Sequence, residues 1–179
     1  TRLLSFLIFV GCTPVNVPAE GPGDTDVDTG SPDIPLQYGV VDDCSDPGGD
    51  LSDIYDGAPA ILVHGSGDAE KALAADVEGW YTGFFDSLTV KAASELTEQD
   101  RAQHLMVIGG SDANDLLGEL NGHLPVWFEA DRFTFGGYRW AELGHGIVVI
   151  GPNPWAEGKF VVLYAGNTVW GSRATFSVG

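Results

Sequence analysis

The stretch that most constrains the fold is residues 104–120, HLMVIGGSDANDLLGEL. An apolar run ends in Gly109 and Gly110, a polar turn follows, and an amphipathic segment begins after Asn114. This order predicts a buried strand, a tight turn, and a helix whose first N–H groups are capped by Asn114. Open α/β sheets bind their ligands at strand-to-helix corners of this kind, so the stretch is also the first candidate site.

Similar apolar runs occur at residues 60–66, 146–151 and 160–165, each closed by glycine or by a polar corner. Continuous runs of this length are typical of strands buried on both faces of a parallel sheet. A shorter strand is expected at 87–93, and a helical turn at 97–103 is expected to be capped by its first residue, Thr97.

A helix is expected after Asp68, because apolar residues recur there at steps of three and four. The stripe consists of Ala69, Leu73, Val77, Trp80, Tyr81 and Phe84. Such a stripe predicts that the helix packs on the sheet.

Beyond Gly122 the apolar spacing changes from that of a helix to that of a strand. Segments 126–130 and 132–135 are short and aromatic, which predicts an antiparallel hairpin that Tyr138 and Trp140 continue. The whole pattern predicts an α/β fold, a three-layer sandwich with a mainly parallel sheet and an inserted antiparallel hairpin. The α/β domain is expected to span residues 57–179.

The net charge of -18 is unevenly distributed, since residues 12–56 carry 11 of the 26 acidic residues and no Lys or Arg. This balance repels phosphate backbones and anionic lipids, and it disfavours nucleic-acid binding. The same segment is rich in Pro, Gly, Asp and Thr, which predicts an acidic disordered tether. Its Asp24, Asp26 and Asp28 resemble a calcium loop only superficially, because Gly30 falls at the seventh position instead of the sixth.

Residues 1–11 are expected to be the remnant of a signal peptide. Arg2 precedes an apolar run that is too short to span a bilayer and that ends at Cys12. The order resembles the end of a bacterial lipoprotein signal peptide, which implies that Cys12 is lipidated and anchors the protein in the cell envelope. The alternative is a buried N-terminal strand or helix with an incidental cysteine. Acylation of Cys12 would leave Cys44 without a disulfide partner in the chain.

Four segments, GGSDANDLLGEL, LPVWFEADRFTFGG, GPNPW and FVVLYAGN, carry a second resemblance. Over residues 60–169 the chain resembles the C-terminal α/β domain appended to secreted prolyl-oligopeptidase-like hydrolases of bacteria. The matching positions are Asn114, Leu124, Pro125, Pro152, Asn153 and Pro154. The resemblance implies an accessory role, because the hydrolase chemistry of those proteins lies in a separate catalytic domain.

Residues that follow the predicted parallel strands are expected to gather at one edge of the sheet. The candidate ligand-binding residues are Gly109, Gly110, Ser111, Asn114, Asn153 and Asn167. The asparagine amides can bind a polar ligand there, or they can close turns by bonding to nearby backbone. Both interpretations remain open at this point.

A catalytic alternative rests on Ser111. Residues 109–113 follow the small-x-nucleophile-x-small pattern of a hydrolase elbow, and His64 with Gly65 resembles an oxyanion-loop motif. A serine esterase or peptidase also needs a histidine late in the chain, and the last one is His145. We therefore expect a non-catalytic domain that binds a ligand or an envelope protein, with a serine hydrolase as the alternative.

The spacing of the histidines predicts no metal site. His64, His104, His123 and His145 form none of the usual metal-binding patterns. Asp68 and Glu70 flank the nearest glycine-rich turn and would repel a phosphate, so no nucleotide cofactor is expected either.

Overall fold

The computed structural model describes residues 8–10, 59–81, 87–135 and 138–176. The expected tether at 12–56, with Cys12 and Cys44, lies outside these residues, so the predictions about it stay predictions. Within the described ranges, no helix is long and apolar enough to cross a membrane.

The described residues form nine strands in two sheets. They are β1 Ile8–Val10, β2 Ala60–His64, β3 Leu88–Ala92, β4 His104–Gly110, β5 Val126–Glu129, β6 Arg132–Phe135, β7 Tyr138–Trp140, β8 Gly146–Pro152 and β9 Phe160–Gly166. The large sheet has the order β1-β8-β9-β4-β2-β3, and all its pairs are parallel except β8 with β9. Strands β5, β6 and β7 form the small antiparallel sheet. The predicted mainly parallel sheet with an antiparallel insertion is confirmed.

Within the same described ranges, four α-helices and one 3₁₀ turn connect the strands. They are α1 Asp68–Tyr81, the 3₁₀ turn Ala93–Glu95, α2 Glu98–Arg101, α3 Asp115–Glu119 and α4 Val169–Thr175. Thr97 caps α2 as expected, because its hydroxyl accepts from the Asp100 N–H at 3.2 Å. The Asp100 carboxylate accepts from the Thr97 N–H at 2.9 Å in return, which completes a reciprocal cap.

The two faces of the large sheet bury different layers. On one face α1 and α4 pack through residues such as Leu73 and Val169 against Leu62 and Ile108. On the other face α3 and the small sheet pack through residues such as Leu117 and Phe133 against Val107 and Leu163. The structure is therefore the three-layer sandwich that the sequence pattern predicts.

The buried face of α1 differs from the predicted stripe. Leu73 and Val77 are buried as expected, but Ala69 is exposed and Trp80 is 49% exposed. The face that packs on the sheet consists of Glu70, Leu73, Ala74 and Val77. Its spacing is still helical, but it begins with an acidic residue one position after Ala69. Phe84 lies outside the described residues.

The direction of β8 corrects a second expectation. The run at 146–151 was expected to be another parallel strand, but β8 runs antiparallel to β9, with Gly146 opposite Gly166 and Pro152 opposite Phe160. The connection at 153–159 is far shorter than the dozen or more residues that a parallel crossover needs. The residues that follow β8 therefore lie at the opposite edge of the sheet from those that follow β4 and β9.

Strand β1 comes from the segment that is expected to belong to the signal peptide. Its backbone pairs in parallel with β8, with Ile8 opposite Val148 and Val10 opposite Ile150. An N-terminal strand is the alternative interpretation of this segment given above. The lipoprotein interpretation stays a prediction, and in a processed chain the edge of β8 would lose this strand.

Glycines let α4 approach the ends of β8 and β9 closely. A Cβ atom on Gly171 would overlap the carbonyl oxygen of His145. A Cβ atom on Gly166 would lie 2.6 Å from the carbonyl carbon of Gly171. Since these neighbours are backbone atoms, neither could move aside cheaply.

We expect Gly171→Ala to destabilise the fold by roughly 2 kcal/mol or more, because the new methyl group forces α4 away from the sheet. The matched control is Gly118→Ala in α3, where a Cβ atom meets nothing within 4 Å. That variant should gain about 0.5 kcal/mol from its better helix propensity. Urea unfolding of both variants measures the difference, and equal midpoints would contradict the close packing.

Candidate functional site

A cleft of about 360 Å³ opens where the carboxyl ends of β2, β4 and β9 meet the loops that lead into α1, α3 and α4. This is the edge at which the sequence predicts a site. The cleft is lined by Ser66, Gly67, Asp68, Ala69, Glu70, Asp112, Ala113, Thr168, Val169 and Trp170. Three of these residues are acidic and none is basic, so the cleft favours cations over anions.

Backbone hydrogen bonds hold the loops of the cleft together. The Ser66 N–H donates to the carbonyl oxygen of Ala113 at 2.8 Å, which joins the loop after β2 to the loop after β4. The Ser111 N–H donates to the carbonyl oxygen of Gly166 at 3.0 Å, which joins β4 to the end of β9. A Cβ atom on Gly65 would lie 2.5 Å from the same Ala113 oxygen, so this close approach requires glycine.

Glu70 is the central side chain of this edge. It is 3% exposed, and its Oε1 accepts from the Gly110 N–H at 3.0 Å. Its Oε2 is buried, and the Gly65 N–H also bonds to this carboxylate. Gly109 has a φ of 117°, and a Cβ atom there would overlap Glu70 Oε2. The turn therefore needs glycine at 109 to make room for this carboxylate.

Burial raises the pKa of the Glu70 carboxyl, and the nearby charge of Asp112 raises it further. Hydrogen bonds from the N–H groups of Gly110 and Gly65 lower the pKa of this carboxyl group. Asp112 is exposed on the turn after β4, and its Oδ1 lies where a Cβ atom on Gly110 would be. Two carboxylates thus lie against consecutive glycines, one in the wall of the cleft and one at its surface.

The backbone N–H groups of this turn bind the protein's own acceptors. The Gly109 N–H donates to Ser172 Oγ at 2.8 Å, and the Gly110 N–H donates to Glu70. Ser172 Oγ in turn donates to the carbonyl oxygen of Tyr164. The N–H groups of Gly109 and Gly110 are therefore not available to a ligand, because side chains from α4 and α1 already accept from them.

Asn114 caps α3 as the sequence predicts. Its Oδ1 accepts from the Leu116 N–H at 3.2 Å, and its Nδ2 donates to the carbonyl oxygen of Ile108 at 2.9 Å. The side chain is 1% exposed. Both ends of the amide thus stabilise the strand-to-helix turn. Of the two interpretations left open by the sequence, Asn114 therefore fits the one in which the asparagine closes a turn.

Asn153 does not join the other asparagines, because it follows the antiparallel strand β8. Its Nδ2 donates to the carbonyl oxygens of Arg101 and Gln103, both at 2.7 Å, and its Oδ1 accepts from the Trp155 N–H at 2.8 Å. Together with Pro152 and Pro154, it closes a turn at the opposite edge of the sheet. Its expected place at the ligand edge is wrong.

Ser111 and Asn167 do lie at the expected edge, in the first positions after the paired residues Gly110 and Gly166. Asn167 Nδ2 donates to the carbonyl oxygens of Trp140 and Glu142 at 2.8 and 2.9 Å. Ser111 Oγ and Asn167 Oδ1 are buried without a hydrogen-bond partner in the part of the chain that the structure describes. The structure thus brings Ser111 and Asn167 together. The Asn167 Nδ2 group, however, is already bonded to the backbone at the end of β7 and just after it.

The structure does not pair Ser111 with a histidine. Strand β9 lies between β4 and β8, so the backbones of Ser111 and His145 are separated by two strand spacings, roughly 10 Å. His145 Nδ1 accepts from the Glu142 N–H at 3.3 Å, and its ring lies edge-on to Trp140 at 5.3 Å. His64 Nδ1 lies 2.7 Å from the carbonyl oxygen of Gly65. Every positive φ in the described ranges falls on a glycine, so Ser111 lacks the strained backbone of a hydrolase elbow.

The residues that the structure describes contain no group of three or more His, Cys, Asp or Glu side chains that could hold a metal ion. No protein-family model and no curated protein matches the sequence. The resemblance to an appended hydrolase domain therefore stays a prediction.

The burial of Glu70 was not expected from the sequence, where Glu70 counts only as a charge that repels phosphate. The signal was its position, three residues before Leu73 and four before Ala74, on the face of α1 that packs against the sheet. A glutamate on the buried face of a helix is rare unless it has a partner or a function.

We expect Glu70→Gln to change how stability depends on pH. The raised pKa means that the folded state favours the protonated acid, so the wild type loses stability as pH rises from about 4.5 through the folded pKa. Glutamine resembles the protonated acid, so the variant should match the wild type near pH 4 and melt at a higher temperature at pH 7. Thermal melts across this range measure the effect, and Glu157→Gln, which removes an exposed carboxylate, is the control for net charge. A melting difference that is constant with pH would contradict the burial of an ionisable Glu70.

Proposed function

We propose that this protein is a membrane-anchored lipoprotein of the bacterial cell envelope whose α/β domain binds a ligand and does not itself catalyse a reaction. The observation that carries the proposal is the cleft at the carboxyl edge of β2, β4 and β9, with the buried Glu70 carboxylate in its wall. A glutamate buried on a helix face is rare unless it has a partner or a function, and the edge at which Glu70 lies is the one where α/β sheets bind ligands.

The surroundings of Ser111 support binding over catalysis. A serine nucleophile needs a base within hydrogen-bonding distance and a hydroxyl that substrate can reach. Ser111 Oγ is buried and has no hydrogen-bond partner in the described ranges, and the His145 ring contacts Glu142 and Trp140 instead.

The anchor is supported by the order of residues at the start of the sequence, where an apolar run ends at Cys12. The acidic segment at 12–56 would extend from this anchor, because its charges repel one another and repel anionic lipid headgroups. The domain would then stand away from the membrane and be accessible to partners. The resemblance to a hydrolase-appended domain makes a separate secreted hydrolase the partner class that we propose.

A fluorophosphonate probe tests whether the protein is a serine hydrolase. We expect no covalent labelling of the folded protein at Ser111, because no described side chain lies where it could take the proton from its hydroxyl. Ser111→Ala is the matched control, and a known serine hydrolase in the same tube shows that the probe is active. Labelling of the wild type that disappears in Ser111→Ala would overturn the proposed function in favour of an esterase or peptidase.

Lipidation is tested by expressing the full-length precursor in bacteria that are fed an alkyne-tagged fatty acid. Cys12→Ser should lose the label and leave the membrane fraction, because no other residue can accept the lipid at that position. Cys44→Ser is the matched control and should keep both the label and the membrane association. A Cys12→Ser variant that remains labelled or membrane-bound would contradict the anchor.

A further inference from the structure

The outer edge of β8 differs from the opposite edge of the large sheet. β8 is seven residues long, carries no charged residue and pairs with β9 in a continuous register without a bulge. Natural sheets usually protect an edge strand with a charge, a bulge, a proline or a short length, and β8 has only Pro152, at its last position. β3, at the opposite edge, is shorter and carries Lys91, which pairs with Asp100 at 2.7 Å. The edge of β8 therefore lacks the charge that discourages another strand from pairing.

β1 shows that this edge accepts a strand. Its residues, Ile8–Val10, pair in parallel with residues 148–150 of β8. The rest of β8 has no strand partner on this side in the part of the chain that the structure describes. Residues of a strand direct their N–H and C=O groups alternately to one neighbour and the other, so about half of the backbone groups of β8 face this side.

Processing before Cys12 removes β1 and opens the edge. The proposed function places the lipid on Cys12 after residues 1–11 have been cleaved, and β1 lies within those residues. Val148 and Ile150 are two positions apart on one face of the sheet, and both are only half-buried even beside β1. Val149, on the other face, is fully buried. The mature domain thus presents unpaired backbone groups next to two apolar side chains.

Building on the proposed function, we propose that the edge of β8 in the mature protein binds an extended apolar segment of a partner protein as a parallel strand. Backbone hydrogen bonds along β8 supply the affinity. Every second residue of the bound segment lies beside Val148 and Ile150, which selects β-branched or aromatic residues there. β1 occupies the edge before processing and gives the direction and register of the bound strand.

Two observations favour a strand from a partner over a second copy of this chain. Two copies that joined their β8 edges around a twofold axis would pair antiparallel, whereas β1 pairs parallel. The net charge of -18 also makes two copies repel each other. An uncharged extended segment of another protein meets neither obstacle.

The test uses the mature protein, purified from the membrane fraction of cells that express the full-length precursor. Its intact mass shows whether residues 1–11 have been removed. The probe is a peptide with the sequence of residues 5–11, SFLIFVG, followed by two lysines for solubility. At saturating peptide we expect hydrogen exchange to slow by roughly tenfold or more at the amides of β8 that face away from β9, because the new strand protects them.

A matched peptide and a pair of variants locate the site. The same peptide with Phe9→Pro and Val10→Pro has equal charge and should bind at least roughly tenfold more weakly, because one of two consecutive N–H groups always faces the neighbouring strand and proline has none. Val148→Glu should weaken binding by a similar factor, since it places a charge beside the open edge. The peptide is cationic, so charge repulsion does not explain that loss. Thr89→Glu, at an exposed position of β3, is the control and should leave binding unchanged. A thermal melt confirms that both variants are folded.

The outcomes separate this proposal from the proposed function. If residues 1–11 are absent and the peptide leaves exchange at β8 unchanged, or the proline peptide slows it equally, the edge does not bind a strand. Slow exchange of the same amides without peptide would show that another segment or a second copy already covers the edge, which also overturns the proposal. Equal weakening by Thr89→Glu and Val148→Glu would overturn the location. An intact mass that still includes residues 1–11 would instead overturn the lipid anchor on which this inference is built.

Discussion

The structure of the candidate site depends on one interaction, the packing of the Glu70 carboxyl group against Gly109 and Gly110 at the end of β4. The hydrogen bond from the Gly110 N–H joins the first turn of α1 to the central sheet. It requires glycine at 109, because only a residue without a Cβ atom leaves space for Oε2. The loops after β2 and β4 then meet through Ser66 and Ala113, and the cleft forms where they leave a gap.

Most of the architecture follows from local sequence patterns. The apolar runs locate β2, β4, β8 and β9, and the residues Thr97 and Asn114 predict where α2 and α3 begin. A run of apolar residues does not predict the direction of its strand. The strand is buried in the same way whether the neighbouring strand is parallel or antiparallel. The length of the connection to β9 decides the direction of β8, and it moves Asn153 to the other edge of the sheet.

The site was less predictable, because its polar groups bond to residues that are distant in sequence. The amide of Asn167 bonds to the carbonyl oxygens of Trp140 and Glu142, and the amide of Asn153 bonds to those of Arg101 and Gln103. An asparagine that closes a turn and one that binds a ligand look the same in a sequence. The burial of Glu70 could not be predicted from its own segment either, because it depends on two glycines that lie about 40 residues later.

The charge of the cleft also bears on how the expected tether behaves. Residues 12–56 carry eleven acidic residues and no basic ones, so no side chain in that segment could neutralise the acidic lining of the cleft. A disordered tether at these positions would instead be repelled from the cleft, most strongly at low ionic strength where screening is weak. An acidic tether thus leaves an acidic cleft open to a ligand supplied by another molecule, whereas a basic tether of the same length would compete for it.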